Sequence, residues 1–175
     1  MIQEEIRLVK PTLNMKEAAL KYRQEHFDYG EQIINGSELF DKIASYDEWL
    51  QKITANSSRE TLDPGWVLTD TYFALRMSDR KIIGIADLRH QLNDFLKDFG
   101  HCGLSVRPSE RRKGYGTEIL RQLCLVAKEH GLSQLQLSVE RNNTASIKMI
   151  EKNGGIYNRS FIFDNEEAYV YLLKL

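Results

Sequence analysis

Arg111, Gly114 and Gly116 follow the spacing R-x-x-G-x-G, inside the run Leu104-Ser-Val-Arg-Pro-Ser-Glu-Arg-Arg-Lys-Gly-Tyr-Gly-Thr-Glu-Ile-Leu120. An apolar, strand-like end leads into a basic loop, and the loop opens directly into an amphipathic helix. Glycines at 114 and 116 remove side chains that would block close approach to the backbone. The following helix N-terminus adds positive potential and unpaired N–H groups. Residues of these types in this order form a cradle for a pyrophosphate. From Arg107 to Lys113 there are four cations and one acid. A charge run of this kind is usually a solvated loop, but its place before two glycines and a helix favours an anion site.

The elements that must hold this loop can be read on either side of it. Ile2 to Lys10 alternates weakly and reads as a first strand ended by Pro11. Asn14 to Tyr29 is helix-forming up to Gly30. Ser45-x-x-Glu48 is a capping box for a short helix with Trp49, Leu50 and Ile53 on its apolar face. Asn56 to Gly65 is a loop. Thr71 to Met77 and Lys81 to Leu88, joined by Ser78-Asp79-Arg80, read as a β-hairpin. Phe99 to Val106 reads as the strand that feeds the cradle. Gly114 to His130 is a helix, with Ile119, Leu120, Leu123 and Ala127 on one face and Gly131 at its end. Gln134 to Val139 is a strand, and Asn142 or Asn143 caps a helix that ends at Gly154-Gly155. Tyr157 to Phe163 and Ala168 to Leu173 pair around an Asp-Asn-Glu-Glu turn. The fold class is α/β, of the α+β type. Its mixed, mostly antiparallel central sheet is flanked by helices, with parallel pairing around the central helix.

Two phosphate-binding patterns are tested first. A Walker loop, G-x-x-x-x-G-K-S/T, fails because Lys113 precedes Gly114 and Thr117 is displaced. A dinucleotide loop, G-x-G-x-x-G, finds Ile119 where its third glycine belongs, although Glu140 mimics the ribose-binding acid. The loop also resembles the acyl-CoA signature of the GNAT family of N-acetyltransferases, Arg/Gln-x-x-Gly-x-Gly/Ala between a strand and a helix. Asn143-Thr-Ala-Ser146-Ile-Lys-Met-Ile-Glu-Lys-Asn-Gly154 resembles the second block of that family. The resemblance covers about the last 110 residues, and both blocks stand in order, separated by one helix and one strand.

What the resemblance implies is specific. Acetyl-CoA is the cosubstrate. Backbone amides of Arg111, Arg112, Lys113, Gly114, Tyr115, Gly116 and Thr117 hold the pyrophosphate, and the side chains of Arg111, Arg112 and Lys113 add charge. Leu104, Ser105 and Val106 bond the pantetheine arm through their backbones, like an added strand. The Val106 amide polarises the thioester carbonyl. Tyr115 packs beside the coenzyme. Asn143 reaches the pantetheine or only caps its helix, and Ser146 is a small packing residue near the ligand. Many relatives place a tyrosine acid where this chain has Ile150. Replacement candidates are Tyr169, Tyr171 and Tyr157. For a base the resemblance points to Asp98, early in the strand. His101 and His90 have side chains that titrate near pH 7, and Glu140 is a further option. A regular strand would put Asp98 on the face of Leu104 and Val106, with His101 opposite.

The remaining composition sets bounds. The chain has 175 residues and a formal net charge of −1, which fits one domain with a real core and gives no global pull toward nucleic acid or an anionic membrane. Cys102 and Cys124 have neither C-x-x-C nor metal-ligand spacing. No signal sequence or membrane span is legible, and a reducing cytoplasm is the expected compartment. The expected organisation is one domain, with residues 1–65 as a variable acceptor-side region and 66–175 as the coenzyme-binding core. The expected reaction is acetyl transfer to an amine, a small molecule rather than a protein, with the closing strands as a candidate homodimer edge. The alternatives are a non-catalytic acyl-CoA-binding module, motivated by Ile150, and a dinucleotide-binding protein.

Overall fold

The computed structural model describes residues 4–175. Strand β1 spans Ile6–Val9; Ile2 and Gln3, the start of the expected first strand, lie outside the described residues. Helix α1 (Lys16–Asp28) buries Ala19, Tyr22 and His26, a spacing of three and four that lines one helix face. Helix α2 (Tyr46–Asn56) begins as its capping box implies, with Ser45 Oγ accepting the Glu48 N–H at 3.3 Å. Tyr46, Trp49 and Ile53 form its buried face.

Strands β2 (Thr69–Arg76) and β3 (Ile82–Arg89) form the expected hairpin. Strand β4 (Cys102–Val106) pairs antiparallel with β3. Helix α3 (Tyr115–Glu129) follows the glycine loop, and β5 (Gln134–Glu140) leads to α4 (Thr144–Lys152). The last hairpin joins β6 (Ile156–Phe163) to β7 (Glu166–Lys174). Its turn is the pair Asp164-Asn165, both at positive φ. That is the two-residue geometry whose twist suits a hairpin.

The strands form two sheets, β1-β2-β3-β4 and β5-β7-β6, and every pairing within them is antiparallel. The expected parallel pairing around the central helix is therefore corrected: β4 and β5 meet only at the bridge Gly100↔Leu137 and the bonds beside it. The strand feeding the cradle also starts at Cys102, not at Phe99. Gly100 explains both differences. It sits at φ +91°, and a Cβ there would fall 2.2 Å from the Gln136 carbonyl oxygen. Only glycine allows this turn and this contact, so the chain bends there before β4 begins.

One core packs α3 and α4 against both sheets, with Ile119, Leu120, Leu123, Ala127, Leu135 and Ile150 at its centre. A second packs α1 and α2 on the other face of β2 and β3, around Tyr22, Phe40, Trp49, Phe73 and Ile85. The fold thus leaves the seam between β4 and β5 open, with a helix pair on either side. Among the described residues, no helix is long and apolar enough to cross a membrane.

Candidate active site

The open seam can be resolved bond by bond. Arg107 donates its N–H to Ile83 O at 2.7 Å, and Arg89 donates to His101 O at 2.6 Å. With the register Val106↔Gly84, Leu104↔Ala86 and Cys102↔Leu88, these are the non-hydrogen-bonded pairs of the ladder. The N–H groups of Leu104 and Val106 therefore point to the open edge of β4. Ser105 is the exception among the three residues read as pantetheine contacts. Its amide and carbonyl point into the ladder with Ile85, the carbonyl accepts Tyr22 Oη–H at 3.0 Å, and its hydroxyl donates to Asn35 O at 2.8 Å. On β5, Arg141 donates to Glu167 O at 3.0 Å, and the register Ser138↔Val170 turns the Ser138 amide toward the seam. The strands are stitched at one point: His101 N–H donates to Gln136 O at 2.7 Å, and Gln136 N–H donates to His101 Nδ1 at 2.9 Å. Beyond it, no hydrogen bond joins Leu104–Val106 to β5 among the described residues.

The cradle sits at the end of this seam. Gly114 caps α3 at φ +87°, and Arg112 lies at φ +61°. Among the described residues, no protein acceptor takes the backbone N–H groups of Arg112, Lys113, Gly114, Tyr115, Gly116 or Thr117. Successive unpaired amides at a helix N-terminus form an anion nest. A Cβ on Gly116 would lie 3.0 Å from Met149 Sδ, so this glycine also lets α3 approach α4. Tyr115 is buried in the core.

The loop's side-chain charges are arranged differently from the sequence expectation. Arg107 is buried and bonded to Ile82 O and Glu25, and Glu25 also accepts the Ser109 N–H at 2.8 Å. Arg111 is held in a fork by Glu31 at 2.6 and 2.8 Å, with its Nε donating to Val106 O. Lys113 bonds Glu110 at 2.8 Å. Arg112 is exposed and has no partner among the described residues. Arg111 and Lys113 thus enter the site already paired, and Arg112 carries the available guanidinium. Glu110, which the sequence reading passed over, is a hub. It is buried, yet it also accepts from Arg76 and Lys81 of the β2–β3 hairpin. Burial alone would raise its pKa, but the two lysines and Arg76 pull it down to about 2.

On the α4 side, Asn143 Oδ1 accepts the Ser146 N–H at 3.1 Å, so Asn143 is the helix cap. Its amide nitrogen has no protein partner among the described residues. Ile150 is buried in the core, which leaves no acid at that point of the helix.

The proton-handling candidates are dispersed. Asp98 lies before β4 and is paired with Arg159 at 2.6 Å; the bend at Gly100 removes it from the face of Leu104 and Val106. The His101 Nδ1 lone pair is occupied by the Gln136 amide, and burial, with the Arg89 charge, lowers its pKa. Tyr169 packs edge-on to Tyr157, 5.3 Å between centroids, and Tyr171 approaches Glu151 at 3.4 Å. His90 Nε2 bonds Asp70 at 2.7 Å near His130, at the far end of α3 from the cradle. Lys10 also bonds Asp70, so that carboxylate is already neutralised.

A cavity of about 560 Å3 lies on the α1–α2 side of the first sheet. None of Asp98, His101 or Tyr169 lines it. Its loop wall, Asn35–Lys42, rests on β4: the backbones touch so closely that a Cβ on Gly36 would fall 2.3 Å from Gly103 O. Glu38, Asp87 and Arg89 meet there. Asp87 is fully buried, and its Oδ1 accepts the Gly103 N–H at 2.6 Å. Its Oδ2 lies 3.0 Å from Arg89 Nη2, out of line for a hydrogen bond, and has no hydrogen-bond partner among the described residues. Burial first, then the hydrogen bond and charge of Asp87, raise the Glu38 pKa well above the carboxylate range, against the pull of Arg89. Glu38 and Leu39 both have positive φ (49° and 69°), which costs about 1 kcal/mol or more at each. A signal for Asp87 was present in the sequence, since it is the one acid inside the apolar run Ile82–Leu88. Glu38 gave none.

A sequence model of the acetyltransferase (GNAT) family matches residues 39–155, and the chain belongs to that family. Acetyl-CoA-dependent acetyl transfer is the family's general function, with acetyl-CoA as the cosubstrate. The fold agrees with solved structures. A Salmonella typhimurium protein solved with its cofactor acetyl-CoA is 16% identical with a TM-score of 0.68, over 99% of this chain and 94% of that one. A GNAT-family acetyltransferase from Streptococcus pneumoniae is 16% identical with a TM-score of 0.68, over 98% and 100%. A ribosomal alpha-N-protein acetyltransferase in complex with coenzyme A is 12% identical with a TM-score of 0.69, over 97% and 94%. A search of curated protein sequences returned no match.

Proposed function

We propose that this protein transfers the acetyl group of acetyl-CoA to the amine of a small molecule seated in the cavity beside Asp87. The observation that carries the reading is the pairing of two features: an open β4 edge running into an unpaired amide nest, and a cavity walled by the loop that rests on β4. The nest of Arg112–Thr117 takes the pyrophosphate, assisted by Arg112. The pantetheine arm lies along Leu104 and Val106 as an added strand, and the Val106 N–H donates to the thioester oxygen as charge develops there. Asn143 turns its amide nitrogen toward the arm while its oxygen caps α4.

The amine attacks the thioester carbon directly, and holding the two substrates together supplies much of the rate. The cavity volume of about 560 Å3 suits a small ligand. Asp98 and His101 act as braces in this reading, the first through Arg159 and the second through Gln136. The test is release of coenzyme A thiol on adding a panel of small amines to the protein with saturating acetyl-CoA. Amine-dependent thiol release supports the reading; binding of acetyl-CoA with no turnover of any amine favours the acyl-CoA-binding module.

A further inference from the structure

We infer that Asp70, His90 and His130 form a site for one divalent transition-metal ion of the zinc class, held by two imidazoles and one carboxylate. The site lies at the end of α3 opposite the amide nest. It is independent of the acetyl-transfer reading, since none of the three residues belongs to the seam or lines the cavity.

The three side chains come from separate elements. Asp70 is the second residue of β2, His90 follows the last residue of β3, and His130 caps the C-terminus of α3. Each is held by its backbone. Asp70 pairs with Leu88 across the hairpin. His90 N–H donates to Leu68 O at 2.9 Å, and His130 N–H donates to Val126 O at 3.1 Å. Gly131, at φ +84°, then turns the chain, and Leu132 N–H closes the helix end on Ala127 O at 3.0 Å. A helix end closed in this way fixes the backbone of His130. Ligands carried on rigid elements hold a site better than ligands on loose loops.

The donor atoms converge. His90 Nε2 lies 2.7 Å from Asp70 Oδ2, and His130 Nε2 lies 3.8 Å from the same oxygen. The second distance is beyond hydrogen-bond reach, and among the described residues the His130 ring has no hydrogen-bond partner. All three donors lie within 4.8 Å of one another, and the two imidazoles meet edge to face at 4.5 Å between centroids. Among the described residues, this is the one place where three such donors gather. It takes two of the chain's four histidines. Around a tetrahedral ion with bonds of about 2.1 Å, neighbouring ligand atoms stand about 3.4 Å apart. The shorter contact must therefore open and the longer one close by less than about 1 Å. Rotation of the His130 side chain, 42% exposed, supplies much of that adjustment.

Lys10 does not close the site. It bonds Asp70 Oδ1, while both histidines face Oδ2. Its ammonium is kept on that side by the Tyr72 ring, 4.7 Å from the centroid. A carboxylate can accept on both oxygens, so Oδ1 keeps Lys10 while Oδ2 binds the ion. Lys10 then orients the ligating carboxylate, as outer partners of metal ligands do. Its charge opposes the ion, and the negative end of the α3 dipole at His130 favours it. The donor set selects the ion: imidazole with carboxylate suits zinc, cobalt, nickel or copper, whereas magnesium and calcium want oxygen ligands throughout. Coordination replaces the hydrogen on His90 Nε2. That proton moves to Nδ1, or leaves for water if the ring was an imidazolium. Water fills the remaining positions, and the bound ion clasps the end of α3 to β2 and to the end of β3.

The experiment is calorimetric titration of the full-length protein, carrying no histidine tag, with Zn2+, and thermal unfolding with and without the ion. Visible absorption of bound Co2+ reports the ligand geometry. Wild type is compared with His130→Ala, Asp70→Asn and Cys124→Ser, the last a control for thiol binding. Melts without metal check that each variant folds; the exposed His130 side chain makes His130→Ala the safest. The expected result is saturable binding of one Zn2+ per chain. At about 100 times its Kd the ion should raise Tm by about 5–10 °C, and Mg2+ or Ca2+ should give no shift. His130→Ala and Asp70→Asn should each weaken Zn2+ binding by about tenfold or more and remove the four-coordinate Co2+ spectrum. Cys124→Ser should keep both. Unsaturable uptake, an affinity of folded His130→Ala within about threefold of wild type, loss of binding in Cys124→Ser, or an equal shift with Mg2+ would overturn the site.

Discussion

Replacing Gly36 by Ala should separate the acceptor cavity from the coenzyme site. Gly36 sits at φ +73°, and its added Cβ would lie 2.3 Å from Gly103 O, 2.4 Å from Gly103 C and 2.8 Å from Leu104 N. All three are backbone atoms of β4, so no side chain can swing away. The loop must retreat by about 1 Å to reach ordinary van der Waals separation. A left-handed alanine costs about 1–2 kcal/mol relative to glycine. Retreat also breaks the Ser105 Oγ–H bond to Asn35 O, worth about 1 kcal/mol. The total, about 2–3 kcal/mol, corresponds to a fall in Tm of about 4–12 °C for a chain of this length. The proper control is Gly131→Ala, at φ +84° with nothing within 4 Å of its Cβ; it bears the backbone cost alone. Thermal unfolding of both variants, with and without acetyl-CoA, is the assay. Gly36→Ala should be the less stable, should lose amine turnover and should keep its stabilisation by acetyl-CoA. Equal Tm values for the two variants, with turnover intact, would refute the claim that this contact shapes the cavity.

Other outcomes follow from the same contacts. Arg112→Ala should weaken acetyl-CoA binding and reduce its salt dependence in calorimetry, because its guanidinium is exposed and unpaired; Arg111→Ala should chiefly lower Tm, because its fork holds Glu31. Glu110→Gln should destabilise by about 3 kcal/mol at pH 7, taking 1.36 kcal/mol per pKa unit between 4.5 and about 2. A folded pKa below the unfolded one gives stability that is complete above pH 4.5 and lost as pH falls toward 2. The gap from wild type in denaturant titrations should therefore shrink by more than half at pH 3. His26 is buried and His101 half-buried, both with lowered pKa values, desolvation being the first cause in each. Their contribution is present above about pH 6.5 and lost as pH falls below it, so stability should drop from pH 7 to pH 5, and less steeply in His101→Gln.

The sequence carried the coenzyme loop further than the acceptor side. Loop, cap and helix signals are local, and Gly114, Ser45, Asn143 and the apolar face of α3 appear where spacing put them. The break between β4 and β5 was not legible, because it depends on Gly100 meeting the Gln136 carbonyl across 36 residues. Reading Phe99–Val106 as one regular strand placed Asp98 on the wrong side of that bend. The pairing of Arg111 with Glu31 was equally hidden, since a cation in a basic loop gives no sign of a carboxylate 80 residues away. Glu38 lies in an irregular segment with no periodicity, and only the packed fold brings it to Asp87.

The most direct test of the central claim is residue-resolved amide hydrogen exchange with and without acetyl-CoA. Among the described residues no protein acceptor takes the N–H groups of Leu104, Val106 and Arg112–Thr117, and they should gain protection when acetyl-CoA is bound. Ser105, already bonded within the ladder, should change little. Protection that leaves these amides untouched, or that falls on other segments in the presence of acetyl-CoA, would contradict the placement of the coenzyme in the seam between β4 and β5.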